Sequence, residues 1–100
     1  MKKELQEQLF KIYPDIFVRR HLPKTASAMC YGIQCPDRWY NLIAALCTII
    51  KKYSEEKQII CEATQVKTKF GFLRFYVTYY DDYIRGAIGL AETLSFNIKE

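Results

Sequence analysis

The chain has 100 residues, of which 50% are hydrophobic, 15% aromatic and 26% charged, and its 15 basic and 11 acidic residues give a net charge of +4. This composition excludes a disordered chain, and the length favours a single domain over residues 1–100. No window offers the ~18 apolar residues of a membrane-spanning helix, so we expect no membrane association. Polar residues follow Met1, which predicts no secretory signal peptide and a cytoplasmic location.

Apolar residues recur every three or four positions in three segments, which predicts three helices. The first covers residues 3–13 and stops at Pro14, because a proline disfavours the helical conformation of the residue before it. The second covers residues 38–54, with Asp37 as its N-cap. The third begins at Asp81–Asp82, where acidic side chains suit the positive end of the helix dipole.

Two strands are expected between the second and third helices, after a polar connection over residues 54–57. Residues 58–66 and 70–79 are rich in β-branched and aromatic side chains, and the turn of this hairpin is placed at residues 65–69. A two-stranded hairpin is marginal alone, so either residues 24–34 add a third strand or two copies share a sheet as a homodimer. The order of elements predicts an α+β fold, with about three helices packed on a small antiparallel sheet containing the hairpin.

Alternation divides the second strand into two faces of different chemistry. The face expected to pack on the helices is apolar and comprises Leu73, Phe75, Val77 and Tyr79. The other face mixes rings with a cation and is expected to meet water or a partner. Together with two neighbouring lysines it supplies the predicted partner-binding residues, which are Lys67, Lys69, Phe72, Arg74 and Tyr76. A secondary basic patch is formed by Arg19, Arg20 and Lys24.

The four cysteines do not follow the paired short spacings of a zinc site. Cys47 and Cys61 each lie among apolar residues, so we interpret them as buried, reduced thiols. Cys30 and Cys35 are spaced C-x4-C, which leaves open whether they bind a metal, form a redox pair or do neither. We predict no cofactor and no metal site.

Two stretches of the sequence are distinctive, V-K-x-K-F-G-x-L-R-F-Y at residues 66–76 and a second at residues 30–43. Together they resemble a group of small proteins encoded by bacteriophages and prophages, and residues 66–76 are the most specific part of the resemblance. The resemblance covers about Tyr13 to Phe96 and implies a phage origin and a location in the host cytoplasm, but no agreed activity. Relatives often continue into a C-x-x-C tail where this chain has Ile98–Glu100, so that metal site is not carried over.

The first functional hypothesis is a protein-binding module, which acts as an inhibitor of a host protein or of a host defence system such as CRISPR-Cas. Tyrosine and arginine are favoured anchors of interfaces, although tyrosines also close small cores with their hydroxyls at the surface. Six tyrosines carry this argument: Tyr31, Tyr40, Tyr76, Tyr79, Tyr80 and Tyr83.

The second hypothesis is nucleic-acid binding, in which Phe72 and Tyr76 stack on bases beside the cation of Arg74. A net charge of +4 falls short of the basic bias of most such domains, and a solvated sheet face explains the same pattern. An enzyme is not predicted, because the chain has one histidine and none of the common catalytic motifs.

Overall fold

The computed structural model describes residues 1–99. Within them the chain forms three α-helices and a three-stranded sheet, joined in part by short 3-10 turns. In chain order the elements are α1 Lys3–Ile12, β1 Ile33–Gln34, α2 Tyr40–Lys57, β2 Ala63–Lys69, β3 Phe72–Val77 and α3 Asp82–Asn97. The predicted α+β class is therefore confirmed. In residues 1–99 no helix has the length and apolar character needed to cross a membrane.

The sheet has the order β1-β2-β3 and is mixed, whereas the sequence predicted an antiparallel one. β2 and β3 form the expected antiparallel hairpin. The third strand does come from residues 24–34, but β1 runs parallel to β2, with Ile33 aligned on Val66. Parallel pairing needs a long crossover, and α2 supplies it by carrying the chain back before β2 begins.

The hairpin turn lies further along the chain than predicted. β2 starts at Ala63 and continues through the predicted turn to Lys69, and the turn itself is Phe70–Gly71. Both turn residues have positive φ, of 55° and 83°, which is the backbone of a tight two-residue hairpin turn. Gly71 adopts such a φ without strain, so this glycine fixes the turn and with it the register of the strands.

The start of the second helix also differs from the prediction. Residues 37–39 form a 3-10 turn, and the Asp37 carboxylate accepts a hydrogen bond from the Lys2 backbone N–H at 2.7 Å instead of capping α2. α2 then runs to Lys57, so the predicted polar connection is its last turn, and it ends at Gln58 in the left-handed conformation. α3 begins at Asp82, as expected, and Asp81 is its N-cap, with its carboxylate accepting from the Ile84 N–H at 2.9 Å.

One hydrophobic core lies between the helices and the inner face of the sheet. The predicted inner residues Leu73, Phe75 and Val77 are buried, whereas Tyr79 is half-buried. Phe17 brings the segment after α1 into this core, with its ring 6.5 Å from that of Phe75. The core is thus built on the apolar face that alternation identifies.

The outer edge of β3 is closed by side chains. The Leu73 N–H donates to Ser95 Oγ at 2.8 Å, and the Phe75 N–H donates to Glu92 Oε2 at 3.1 Å. The Val77 N–H donates to the Tyr80 hydroxyl at 3.1 Å. Native proteins cover sheet edges to prevent edge-to-edge pairing, and here α3 does so together with Tyr80, which precedes it. Two copies that shared a sheet through β3 would need its outward N–H groups for pairing, but these groups are already paired within the chain.

Candidate binding surface on the hairpin

The register of β2 and β3 brings the predicted partner-binding residues onto one face of the sheet. Lys67 lies opposite Arg74, Lys69 opposite Phe72, and Gln65 opposite Tyr76. All of these side chains project away from the core and are half-buried or exposed. We call this set the hairpin face, comprising Lys67, Lys69, Phe72, Arg74 and Tyr76.

A stacked pair of rings joins the hairpin face to the end of α3. Phe72 lies on Phe96 with ring centroids 4.8 Å apart and an interplanar angle of 18°. Cations sit over the two rings, with Arg74 5.6 Å from the Phe72 centroid and Lys99 4.6 Å from that of Phe96. Sequence reasoning missed Phe96, because the rest of β3 and nearly all of α3 separate it from Phe72 along the chain.

The cations of the hairpin face differ in how far their charge is already compensated. Arg74 pairs with Glu92, with Nη1 3.6 Å from Oε1, and it also donates to the Leu73 carbonyl at 3.3 Å. Within residues 1–99, Lys67 and Lys69 have no ion pair. The charge that the hairpin face offers to a partner therefore comes from the two lysines.

The most exposed large apolar side chain of residues 1–99 is Phe70, with 86% of its surface open to solvent. Its φ of 55° lies in the left-handed region, which costs a residue with a side chain about 1–2 kcal/mol. The Lys69 Nζ lies 5.8 Å from its ring centroid. We call Lys69, Phe70 and Gly71 the hairpin tip. Sequence reasoning placed the turn earlier and so missed Phe70; the Phe-Gly pair between two alternating segments was the available signal.

The secondary basic patch is largely engaged in contacts within the chain. Arg19 Nε lies 3.0 Å from Glu62 Oε1, in a half-buried ion pair. Arg20 stacks over the Phe10 ring at 5.0 Å and donates to the Phe17 carbonyl at 2.8 Å. Lys24 is exposed. Because Glu62 directly precedes β2, this patch lies at the opposite end of the strand from the hairpin tip.

The four cysteines are free thiols. Cys47 and Cys61 are buried, as predicted, and Cys35 is buried too, whereas Cys30 is exposed. Burial raises the pKa of Cys35 to about 12 and that of Cys61 to about 11, and it raises the pKa of Cys47 as well. Protonated thiols are poor nucleophiles and metal ligands. Within residues 1–99, no group of three or more His, Cys, Asp or Glu side chains is arranged to hold a metal ion.

A polar cluster lies at the other end of the hairpin, around Asp81. The Asp81 carboxylate accepts from the Ile84 N–H, from the Tyr53 hydroxyl at 2.5 Å and from the Tyr79 hydroxyl at 3.0 Å. These donors, led by the Ile84 N–H, lower the pKa of Asp81, and the hydrogen bond to Asp81 raises the pKa of Tyr53 to about 12. The Tyr53 ring also stacks on Tyr83 at 4.2 Å. The cluster connects α2 to the start of α3, so its role is to stabilise the fold.

Comparisons of this chain with protein-family models, with curated proteins and with solved structures found no match. The hairpin face and tip are therefore interpreted from their own chemistry. Phe70 offers an apolar contact, Lys67 and Lys69 offer two ammonium groups, and Phe96 extends the apolar area. Such a surface can bind an apolar site that has negative charge at its rim.

Proposed function

We propose that the chain is a protein-binding module that holds its partner with the hairpin tip and the hairpin face. Phe70 is the observation that carries this proposal. Its ring is almost wholly exposed, so burial of the ring does not stabilise the free protein, and its backbone lies in the left-handed region, which costs stability. Burying the ring in a pocket of a partner would contribute about 1.5–3 kcal/mol to binding.

The charges around Phe70 define the chemistry of the partner site. Lys69 in the tip and Lys67 beside it have no ion pair with the described residues. Carboxylates beside the partner's pocket would therefore be compensated by these two lysines. Charges at the rim of an interface mainly steer association and set specificity. The partner is therefore a protein with an apolar pocket and an acidic rim.

The phage resemblance of residues 66–76 supplies the biological side of the proposal. These residues include the whole tip and the whole hairpin face, so the stretch that resembles phage proteins most is also the proposed binding surface. We accordingly propose a host protein as the partner, a component of a defence system such as CRISPR-Cas being one example. The module would inhibit by occupying the pocket, without a catalytic step, in the host cytoplasm.

Nucleic-acid binding is the second candidate, and the Phe72–Phe96 stack between two cations favours it. Two features make it the weaker one. The two rings already cover one face of each other, which removes stacking area for bases. Arg74 is paired with Glu92, which lowers the charge available for phosphates.

The test is affinity capture from infected host cells, with immobilised wild-type protein and two variants. Phe70→Ser removes the tip side chain, and Leu90→Ser removes a 60% exposed leucine from α3 as the matched control. We expect mass spectrometry to identify a protein that the wild type and Leu90→Ser retain and Phe70→Ser loses.

Two results would contradict the proposal. Equal retention of the same proteins by all three baits would show that the tip is not the binding site. Capture of nucleic acid instead, with retention falling steeply as salt rises, would favour the second candidate, because phosphate contacts release counterions.

A further inference from the structure

The two most exposed large apolar side chains of residues 1–99 stand at opposite ends of β2. Phe70 projects from the hairpin tip after the last residue of the strand. Ile60, which is 75% exposed, lies three residues before the first. The tip is convex, whereas Ile60 lines a cleft, so the two features differ in shape.

The cleft has a volume of about 430 Å³ and lies between the last turns of α2, the segment after α1 and the approach to β2. Its apolar walls include Ile16, Val18, Ile59 and Ile60. A phenylalanine side chain is a compact apolar group that such walls can enclose. Ser54 also lines the cleft, although its Oγ is buried and has no hydrogen-bond partner.

The charge of the cleft is complementary to that of the tip. Its lining carries three carboxylates, from Asp15, Glu55 and Glu62, against one ammonium, from Lys51. Arg19 compensates Glu62, whereas Asp15 and Glu55 have no ion pair within residues 1–99. An apolar ring flanked by two unpaired lysines thus has the chemistry that this cleft accepts.

We propose that the hairpin tip of one copy inserts into this cleft of a second copy, so that the chain associates head to tail with itself. Phe70 enters between the isoleucines, and Lys67 and Lys69 approach Asp15 and Glu55. The occupant is another copy because β2 separates the two features by about 23 Å, which places a molecule's own cleft out of reach.

Such a contact is heterologous, because the two surfaces that meet are different. A pair of bound copies keeps one free tip and one free cleft, so the assembly grows or closes into a ring. Self-association also covers Phe70 while no other partner is present. It involves only this chain, so it stands or fails independently of the proposed host partner.

The experiment uses light scattering and sedimentation of the purified full chain at low salt, over a wide range of concentration. We expect the average mass to rise with concentration and to fall when salt is added, because the lysine–carboxylate contacts are screened. Phe70→Ser and Ile60→Lys should each weaken association at least about tenfold. Both positions are exposed, so folding should persist, and circular dichroism checks it.

Mixing the two variants gives the decisive result. Phe70→Ser keeps an intact cleft and Ile60→Lys keeps an intact tip, so the mixture should form a 1:1 dimer that grows no further. A wild type that stays monomeric, a variant that associates like the wild type, or a mixture that forms no dimer would each overturn the proposal. Capture of a host protein by Ile60→Lys would still support the proposed function, since its tip is unchanged.

Discussion

The two ends of the β2–β3 hairpin differ in how far their side chains make contacts within the chain. At the end that leads into α3, the Asp81 carboxylate collects hydrogen bonds from two tyrosines and a backbone N–H. At the tip, the Phe70 ring is 86% exposed, the Lys69 ammonium lies 5.8 Å from its centroid, and its backbone is left-handed. The difference shows that stability is concentrated where the strands meet the helices, whereas the tip contributes exposed apolar area. Substitutions in the core, at the edge of β3, in the Asp81 cluster and at the tip test this difference in stability.

The largest loss of stability is expected from Phe75→Ala. Phe75 is buried between the helices and contacts the Phe17 ring, so truncation leaves a cavity and should lower the free energy of unfolding by about 3–5 kcal/mol. Phe70→Ala removes the same type of side chain from the tip and should change the free energy of unfolding by less than about 1 kcal/mol. Urea unfolding of both variants measures the contrast, and equal losses would show that the tip is part of the core.

A smaller loss is expected from Ser95→Ala, which tests how α3 closes the edge of β3. The buried Ser95 hydroxyl accepts from the Leu73 N–H and donates to the Glu92 carbonyl. Without it a buried N–H is left unpaired, at about 1–3 kcal/mol. Thr93→Ala, at an exposed position of the same helix, is the control and should be nearly neutral. If both variants unfold at the same urea concentration, the edge is not held by this bond.

Local patterns predicted much of this architecture. The periodicity of α1 and α3, the start of α3 at Asp81–Asp82 and the alternation of β3 each follow from neighbouring residues, so sequence reasoning found them. Alternation also found the hairpin face, because a strand divides its side chains regardless of its partner. The fold class followed from the order of these elements.

What the sequence did not reveal depends on distant contacts. Asp37 is an acceptable N-cap by local rules, but the backbone N–H of Lys2 takes its carboxylate. The apolar pair Ile59–Ile60 suggested a strand, although pairing with β3 begins only at Ala63. The absence of Phe70 from the predicted site has a local reason. A phenylalanine is not expected at positive φ, so the Phe-Gly turn was overlooked in favour of a longer one.

The Asp81 cluster should make the stability of the fold sensitive to acid. Because its donors lower the pKa of Asp81 below the ordinary 3.8, the carboxylate stabilises the fold above that pH. This contribution is lost as the pH falls through the lowered pKa. Asp81→Ala should therefore lower stability at neutral pH, by less than Ser95→Ala because water reaches the carboxylate. Unfolding curves of wild type and variant should converge as the pH falls below 3.8, and an unchanged gap would contradict the assignment.

The smallest effect is expected from Phe70→Gly, and its sign is the sharpest test of the comparison. Glycine relieves about 1–2 kcal/mol of left-handed strain. It also makes the unfolded chain more flexible and removes the Lys69 contact, and these two effects together offset about 1 kcal/mol of that gain. The free energy of unfolding should thus rise by about 0.5 kcal/mol. Phe72→Gly is the matched control, since it deletes a ring stacked on Phe96 from an extended strand and should destabilise. A Phe70→Gly variant that loses stability would show that the ring supports the turn, and it would remove the reason for assigning Phe70 to recognition. A variant that is more stable yet no longer binds would place the function of the side chain outside the folded monomer.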